Sequence, residues 1–234
     1  MEKKIYVLSL GGSLIVPAAG IDWKFLRKFR ELILKEIKRG NRFVIITGGG
    51  STARSYQKAA NRVVKFTRDD SDWLGVHATR LNAHLIKTIF RNVAHPRINK
   101  NPRTKEDLTK NFKKDEGVMV AAGWRPGWST DYVSVILAER FSAKTIINLS
   151  NIDLVYDKDP DKHKDAKSVK EISWSAFRRI VGNKWDPGLS APFDPVASKQ
   201  AERSGLKVII INGRKIDNLK KCLDGKRFLG TTIK

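Results

Sequence analysis

The sequence predicts an α/β fold, a mostly parallel sheet with helices on both faces, and three observations lead there. Continuous apolar runs at 5–10 (IYVLSL), 42–47 (RFVIIT), 117–122 (GVMVAA), 144–150 (KTIINLS) and 206–212 (LKVIIIN) have the pattern of strands buried on both sides. Helical periodicity fills most of the intervals between them. Glycines and hydroxyl residues follow directly after three of the runs, where a parallel sheet binds its ligands.

The elements follow in order. The first run breaks at Gly11-Gly12 with no small-residue cleavage site behind it, so it reads as a buried strand and not as a signal peptide. Residues 22–40 form an amphipathic helix: Asp22 caps the start, Phe25, Phe29, Leu32 and Ile33 share one face, and Gly40 ends it. After the second strand, GGGSTARSYQKAANRVV opens another helix, and residues 74–93 form a further one. The polar stretch 94–116 reads as irregular and mobile. Helices are expected again at about 130–141 and 195–204. No repeat or low-complexity linker cuts the chain, so its 234 residues are expected to form one domain with two lobes, about 1–140 and about 141–234.

Composition narrows the class. Apolar residues make up 41% of the chain, yet no apolar run reaches the roughly 18 residues of a membrane span. A single cysteine, Cys222, excludes an internal disulfide framework and agrees with a reducing, cytoplasmic setting. The formal net charge is +22, which favours phosphate-bearing partners in general. The cations are scattered among acids and loops without any nucleic-acid-binding motif, so nucleic acid is expected only as a weak electrostatic partner.

The chemistry should lie where the three glycine loops meet: Gly11-Gly12-Ser13, Gly48-Gly49-Gly50-Ser51 and Gly123 to Thr130. Glycine lets backbone amides approach a phosphate, and serine or threonine adds a hydroxyl. The fingerprints GxGxxG and GxxxxGK[ST] are absent, as are a nucleophile elbow and a zinc-binding set. Arg54, in the first turns of the helix after Gly50, suits a phosphate; the plainer reading is a solvated helix arginine. Tyr156, in LSNIDLVYDKDP at 149–160, either clamps a nucleotide or belongs to a plain hairpin. Two tryptophans, Trp124 and Trp128, straddle a Pro-Gly turn in GWRPGWSTD, and they either plug the core or face a ligand.

Together, LGGSL, ITGGGSTARSY, GVHATRLNAHL, GWRPGWSTD, LSNIDLVYDKDP and FDPVASKQAERSG resemble the amino acid kinase family, and most closely its archaeal-type uridylate kinase branch. The resemblance implies a three-layer α/β/α sandwich, Mg²⁺-dependent phosphoryl transfer from ATP to UMP, and a homohexamer. It places Ser9, Gly11, Gly12, Ser13, Gly50, Arg54, Ser150, Asn151, Tyr156 and Asp159 around ATP. It places Gly49, Asp72, Trp124, Arg125, Pro126, Gly127, Trp128, Ser129 and Thr130 around UMP. Arg54, Asp131 and Lys199 take the catalytic roles in this reading, and Trp124 is the ring expected to line the acceptor pocket. Ser9 stands where many members carry a lysine, and the two tryptophans fill positions often smaller or more polar. Alternatives are a same-fold kinase for another small phosphate or acid, or a non-catalytic member binding nucleotide, oxyanion or RNA.

Overall fold

The computed structural model describes residues 4–158, 160, 162–182 and 191–234. Strand β1 (Ile5–Leu10) runs through a one-turn α1 (Gly12–Ile15) into α2 (Trp23–Lys38), and β2 (Arg42–Thr47) returns beside β1. The helices α3 (Gly50–Val63) and α4 (Arg68–Ile89) follow as a packed pair, then a one-turn α5 (Leu108–Asn111) precedes β3 (Val118–Ala121). Next come α6 (Thr130–Arg140), β4 (Thr145–Ser150), and the short strands β5 (Val155–Tyr156), β6 (Ser168–Val169) and β7 (Glu171–Ile172). The described chain closes with α7 (Trp174–Val181), α8 (Pro195–Arg203), β8 (Lys207–Asn212), α9 (Ile216–Leu223) and β9 (Thr231–Ile233).

Seven strands pair in the order β3-β2-β1-β4-β8-β9-β7, and β5 with β6 makes a separate antiparallel pair. Strands β3, β2, β1, β4 and β8 are mutually parallel; β9 turns antiparallel against β8. From β1 the chain moves outward to β2 and β3, then resumes on the other side of β1 at β4. The switch point therefore lies between β1 and β4, where a crevice opens past the carboxyl ends.

Strand alternation divides the core into two layers. Val7, Val44, Ile46, Ile146, Val208 and Ile210 pack under α6, α7 and α8. Leu8, Leu10, Phe43, Ile45, Ile147 and Ile211 pack under α1, α2, α4 and α9. Both sheet faces are thus buried and the expected three-layer α/β/α sandwich is present, which is why the strands read as unbroken apolar runs.

Three expectations are corrected. Helix α4 starts at Arg68, earlier than its apolar periodicity suggests, because Thr67 and Asp70 form a reciprocal capping box. The segment 94–116 is irregular but tied down: Asn99 bridges to Ala121, and Arg42 donates to the carbonyls of Phe112, Lys113 and Glu116. Helices α7 and α9 and the strand β9, paired between β8 and β7, are additional elements. They are short, and β9 offers only three residues to a periodicity argument.

The two glycine loops at the switch point touch backbone to backbone. A Cβ on Gly12 would lie 2.0 Å from the Gly50 nitrogen, and one on Gly48 would lie 2.5 Å from the Gly12 nitrogen. Gly50 also adopts φ +65°. Gly75, inside α4, is different: a Cβ there meets only the Gln57 Nε2 atom at 3.6 Å. Gly12→Ala should therefore lower Tm by about 10 °C or more, or prevent folding. Gly75→Ala should leave the protein about 0.5–1 kcal/mol more stable through helix propensity. Thermal unfolding of both variants checks the contrast, and equal shifts would refute the interlock.

Candidate active site

The interlocked loops form the floor of the crevice. The Gly11 amide donates to the Leu149 carbonyl at 2.9 Å and the Gly48 amide to the Leu10 carbonyl at 2.9 Å, which ties the loops to the sheet. The amides of Gly12, Ser13, Gly49 and Gly50 have no hydrogen-bond partner among the described residues. Gly12 and Gly50 are buried, whereas Ser13 and Gly49 keep solvent access. Because α3 starts at Gly50, its dipole and free amides favour an anion at this point. Arg54 is exposed in the early turns of α3 and makes no hydrogen bond or ion pair among the described residues, which leaves its guanidinium available.

Helix α4 stitches the second and third loops together. Asn82 donates to the Gly48 carbonyl at 2.8 Å and the Gly49 carbonyl at 3.1 Å. The Thr79 hydroxyl accepts the Gly123 amide at 2.8 Å, and Arg80 donates to the Trp124 carbonyl at 2.8 Å. The buried Asp72 accepts the Gly127 amide on Oδ2 at 2.7 Å. Thr79, Arg80 and Asn82 of the TRLNA motif, with Asp72 two turns earlier on α4, position these loops, a role that the motif did not disclose in one dimension.

Both tryptophans pack against the core while keeping part of each ring at the surface. Trp124 and Trp128 are half-buried against the core layer beneath α6, with ring centroids 5.7 Å apart. Trp128 packs on Tyr132 with ring centroids 4.2 Å apart and planes tilted by 39°, and Arg125 folds back over Trp124 at 4.3 Å. Gly127 adopts φ +81°, as the Pro126-Gly127 turn requires. Ser129 caps α6 by accepting the Tyr132 amide at 3.1 Å, which leaves Thr130 as the first helical residue.

A half-buried acid lies under that helix start. Along β1, Ile5, Val7 and Ser9 face α6, so the Ser9 hydroxyl donates to Asp131 Oδ1 at 3.2 Å. The Asp194 amide donates to Asp131 Oδ2 at 3.1 Å, and Asp194 itself caps α8 by accepting the Ala197 amide. Desolvation above all, with the Asp194 charge added, pushes the Asp131 pKa up to about 7; the Asp194 amide and Ser9 hydroxyl oppose the shift. Burial likewise raises Asp194, against the pull of its capping hydrogen bonds.

On the opposite side, Ser150 ends β4, its Oγ accepting the Ile152 amide at 3.3 Å, and Asn151 follows exposed. Tyr156 is exposed on β5, in the small hairpin that the sequence allowed. Lys199 projects exposed from α8. Asp159 lies outside the described residues. The structure thus gathers the glycine loops, Asp72, Asp131 and the 123–130 turn at one sheet edge.

The sequence profile of the amino acid kinase family matches residues 4–212. The chain belongs to the amino acid kinase family. It is 34% identical over 216 residues to the uridylate kinase of Methanococcus aeolicus, covering 92% of this chain and 93% of the relative. It is 35% identical over 228 residues to the uridylate kinase of Thermoplasma volcanium, with 97% and 96% covered. The crystal structure of uridylate kinase from Archaeoglobus fulgidus superposes with a TM-score of 0.80 at 30% identity, covering 100% of both chains.

Within this amino acid kinase fold, sequence reasoning missed Thr79, Arg80, Asn82 and Arg103, which bond through their side chains, and Asp194, whose backbone amide donates to Asp131. The Asp-Pro opening of α8 was a legible cap signal for Asp194. Asp131 yields a pH test. Between its ordinary pKa of 3.8 and about 7, the folded chain keeps a proton that the unfolded chain has released. Its contribution to stability therefore falls as pH rises through that window and is constant above it. Asp131→Asn removes this dependence, so the variant should gain stability relative to the parent from pH 4 to pH 7. Melting curves of the two proteins that stay parallel across that range would refute the assignment.

Proposed function

We propose that this chain transfers the γ-phosphoryl group of ATP to UMP, yielding ADP and UDP by direct in-line displacement. The observation that carries the reading is the convergence of the two glycine loops with the Asp72-anchored turn at a single sheet edge. The full-length match to proteins named uridylate kinase supports the same acceptor.

In this reading Gly11, Gly12, Ser13, Gly50 and Arg54 receive the ATP phosphates, with Lys199 reaching in from α8. Ser150, Asn151, Tyr156 and Asp159 hold its base and sugar. Gly49 meets the UMP phosphate, and Asp72, one of whose oxygens holds Gly127, offers the other to the ribose hydroxyls. The turn from Trp124 to Ser129 encloses UMP through its backbone shape, and Thr130 meets the uracil or ribose. Phosphoryl transfer needs alignment and charge neutralisation more than a nucleophilic side chain, which fits the absence of a triad from the sequence.

Mg²⁺ bound to the ATP phosphates supplies charge neutralisation. Mg²⁺ in kinase sites is held mainly by phosphate oxygens and water, with one or two carboxylates. Asp131 and Asp194 are the carboxylates that would complete its coordination. Ser9 acts through Asp131, to which its hydroxyl is committed. The lobes at about 1–140 and about 141–234 would carry acceptor and ATP respectively. Assembly into a homohexamer in the cytoplasm belongs to the same proposal, supported by apolar side chains left exposed on α3 and α4, among them Tyr56, Val63 and Leu81.

A panel of nucleoside monophosphates and small phosphates with ATP and Mg²⁺, followed by ADP release, tests the proposal. UMP should turn over well above CMP; no ADP release with any acceptor while ATP still binds would sink it. Arg54→Ala should lower kcat/KM by about a hundredfold or more, as loss of a transition-state donor does. Lys164→Ala, in the exposed loop after β5, should stay near the parent value. Equal, small effects of the two would displace the phosphate site from α3.

A further inference from the structure

Arg103 lies in the segment between α4 and β3, far in sequence from the acceptor turn, yet its guanidinium sits among that turn's rings. Its Cζ is 5.7 Å from the Trp124 ring centroid and 5.8 Å from those of Trp128 and Tyr132. Its Nη2 donates to the Tyr132 hydroxyl at 2.5 Å. One flat cation is thus shared by three aromatic rings, the arrangement that ring quadrupoles favour.

The backbone carrying Arg103 is held by the same helix that carries Tyr132. Arg140, at the end of α6, donates to the carbonyls of Pro102, Thr104 and Glu106. Residues 102–106 therefore run along α6 as a strap, gripped at one end by Arg140 and, through Arg103, gripping the other. At that gripped end stand Ser129, Thr130 and Asp131. The turn is held on its far side by α4, through Arg80 on the Trp124 carbonyl and Asp72 on the Gly127 amide.

We propose that Arg103 is a positioning residue for the acceptor: by clamping Trp124, Trp128 and Tyr132 it fixes the 124–130 turn against Asp72 and sets the affinity for UMP. The proposal rests on the reading of this turn as the acceptor side. It also gives the unusual tryptophans a purpose, since smaller or polar side chains at 124 and 128 would offer the guanidinium no faces to bind. Lysine is an incomplete substitute, because its ammonium is a point charge without a flat surface to stack.

Steady-state kinetics on the full chain test it, with Tm measured in parallel. Arg103→Ala should raise the KM for UMP about tenfold, equivalent to about 1.4 kcal/mol, while kcat and the KM for ATP change less than about twofold. Arg103→Lys should recover part of the UMP affinity, and it carries the same test if the alanine variant does not fold. A lowered Tm with both KM values unchanged would overturn the proposal and reduce the clamp to a packing contact. A raised KM for ATP with the UMP value unchanged would overturn instead the acceptor reading of the turn, while the parent enzyme's turnover of UMP tests the activity separately.

Discussion

The contact between Gly12 and the Gly48–Gly50 loop is the constraint on which the rest of the site depends. Two backbones meet there with no room for a side chain, and the meeting point is the switch between β1 and β4. Because the loops are bonded to Leu149 and Leu10, any displacement of one propagates into the central strands. The close approach brings a helix N-terminus beside amides that have no partner among the described residues, so the packing requirement and the proposed phosphate site have one cause.

That floor is useful only if the irregular segments around it are held in place, and arginine does much of this work. Irregular segments leave carbonyls without partners, and a guanidinium can serve several at once. Arg42 binds three carbonyls of residues 112–116, Arg140 binds three of residues 102–106, Arg80 binds Trp124, and Arg30 binds Ile89. Part of the +22 net charge therefore reflects how this chain fastens its loops, and need not mark a polyanion partner.

The fold was legible because its signals are local. Five continuous apolar strands, each followed by a turn or helix, leave little choice besides a parallel sheet covered on both faces. The glycine loops were legible for the same reason, each being a short string after a strand. What escaped the sequence depends on contacts between distant segments: Arg103 on Tyr132, Asn82 on Gly48, and Ser9 on Asp131. Nothing in the spacing of those residues announces a meeting, and the polar composition of 94–116 suggests looseness when taken alone. The capping box at Thr67 and Asp70 is the opposite case, a local signal hidden because it precedes the apolar periodicity by a full turn.

The serine at position 9 now has a physical meaning. Strand alternation points it at Asp131, so a lysine there would meet a carboxylate in a buried setting and form an ion pair. Serine supplies only a neutral hydrogen bond, and desolvation then pushes the Asp131 pKa upward and favours its protonated form. A protonated Asp131 adds no negative charge beside incoming phosphates, whereas an ionised one would repel them unless a cation intervened. With no lysine on β1 at this point, that cation has to come from the crevice rim or with the nucleotide. In the proposed site the exposed Arg54 and Lys199 would supply that charge, which makes the electrostatic balance of the crevice a property of the loaded site.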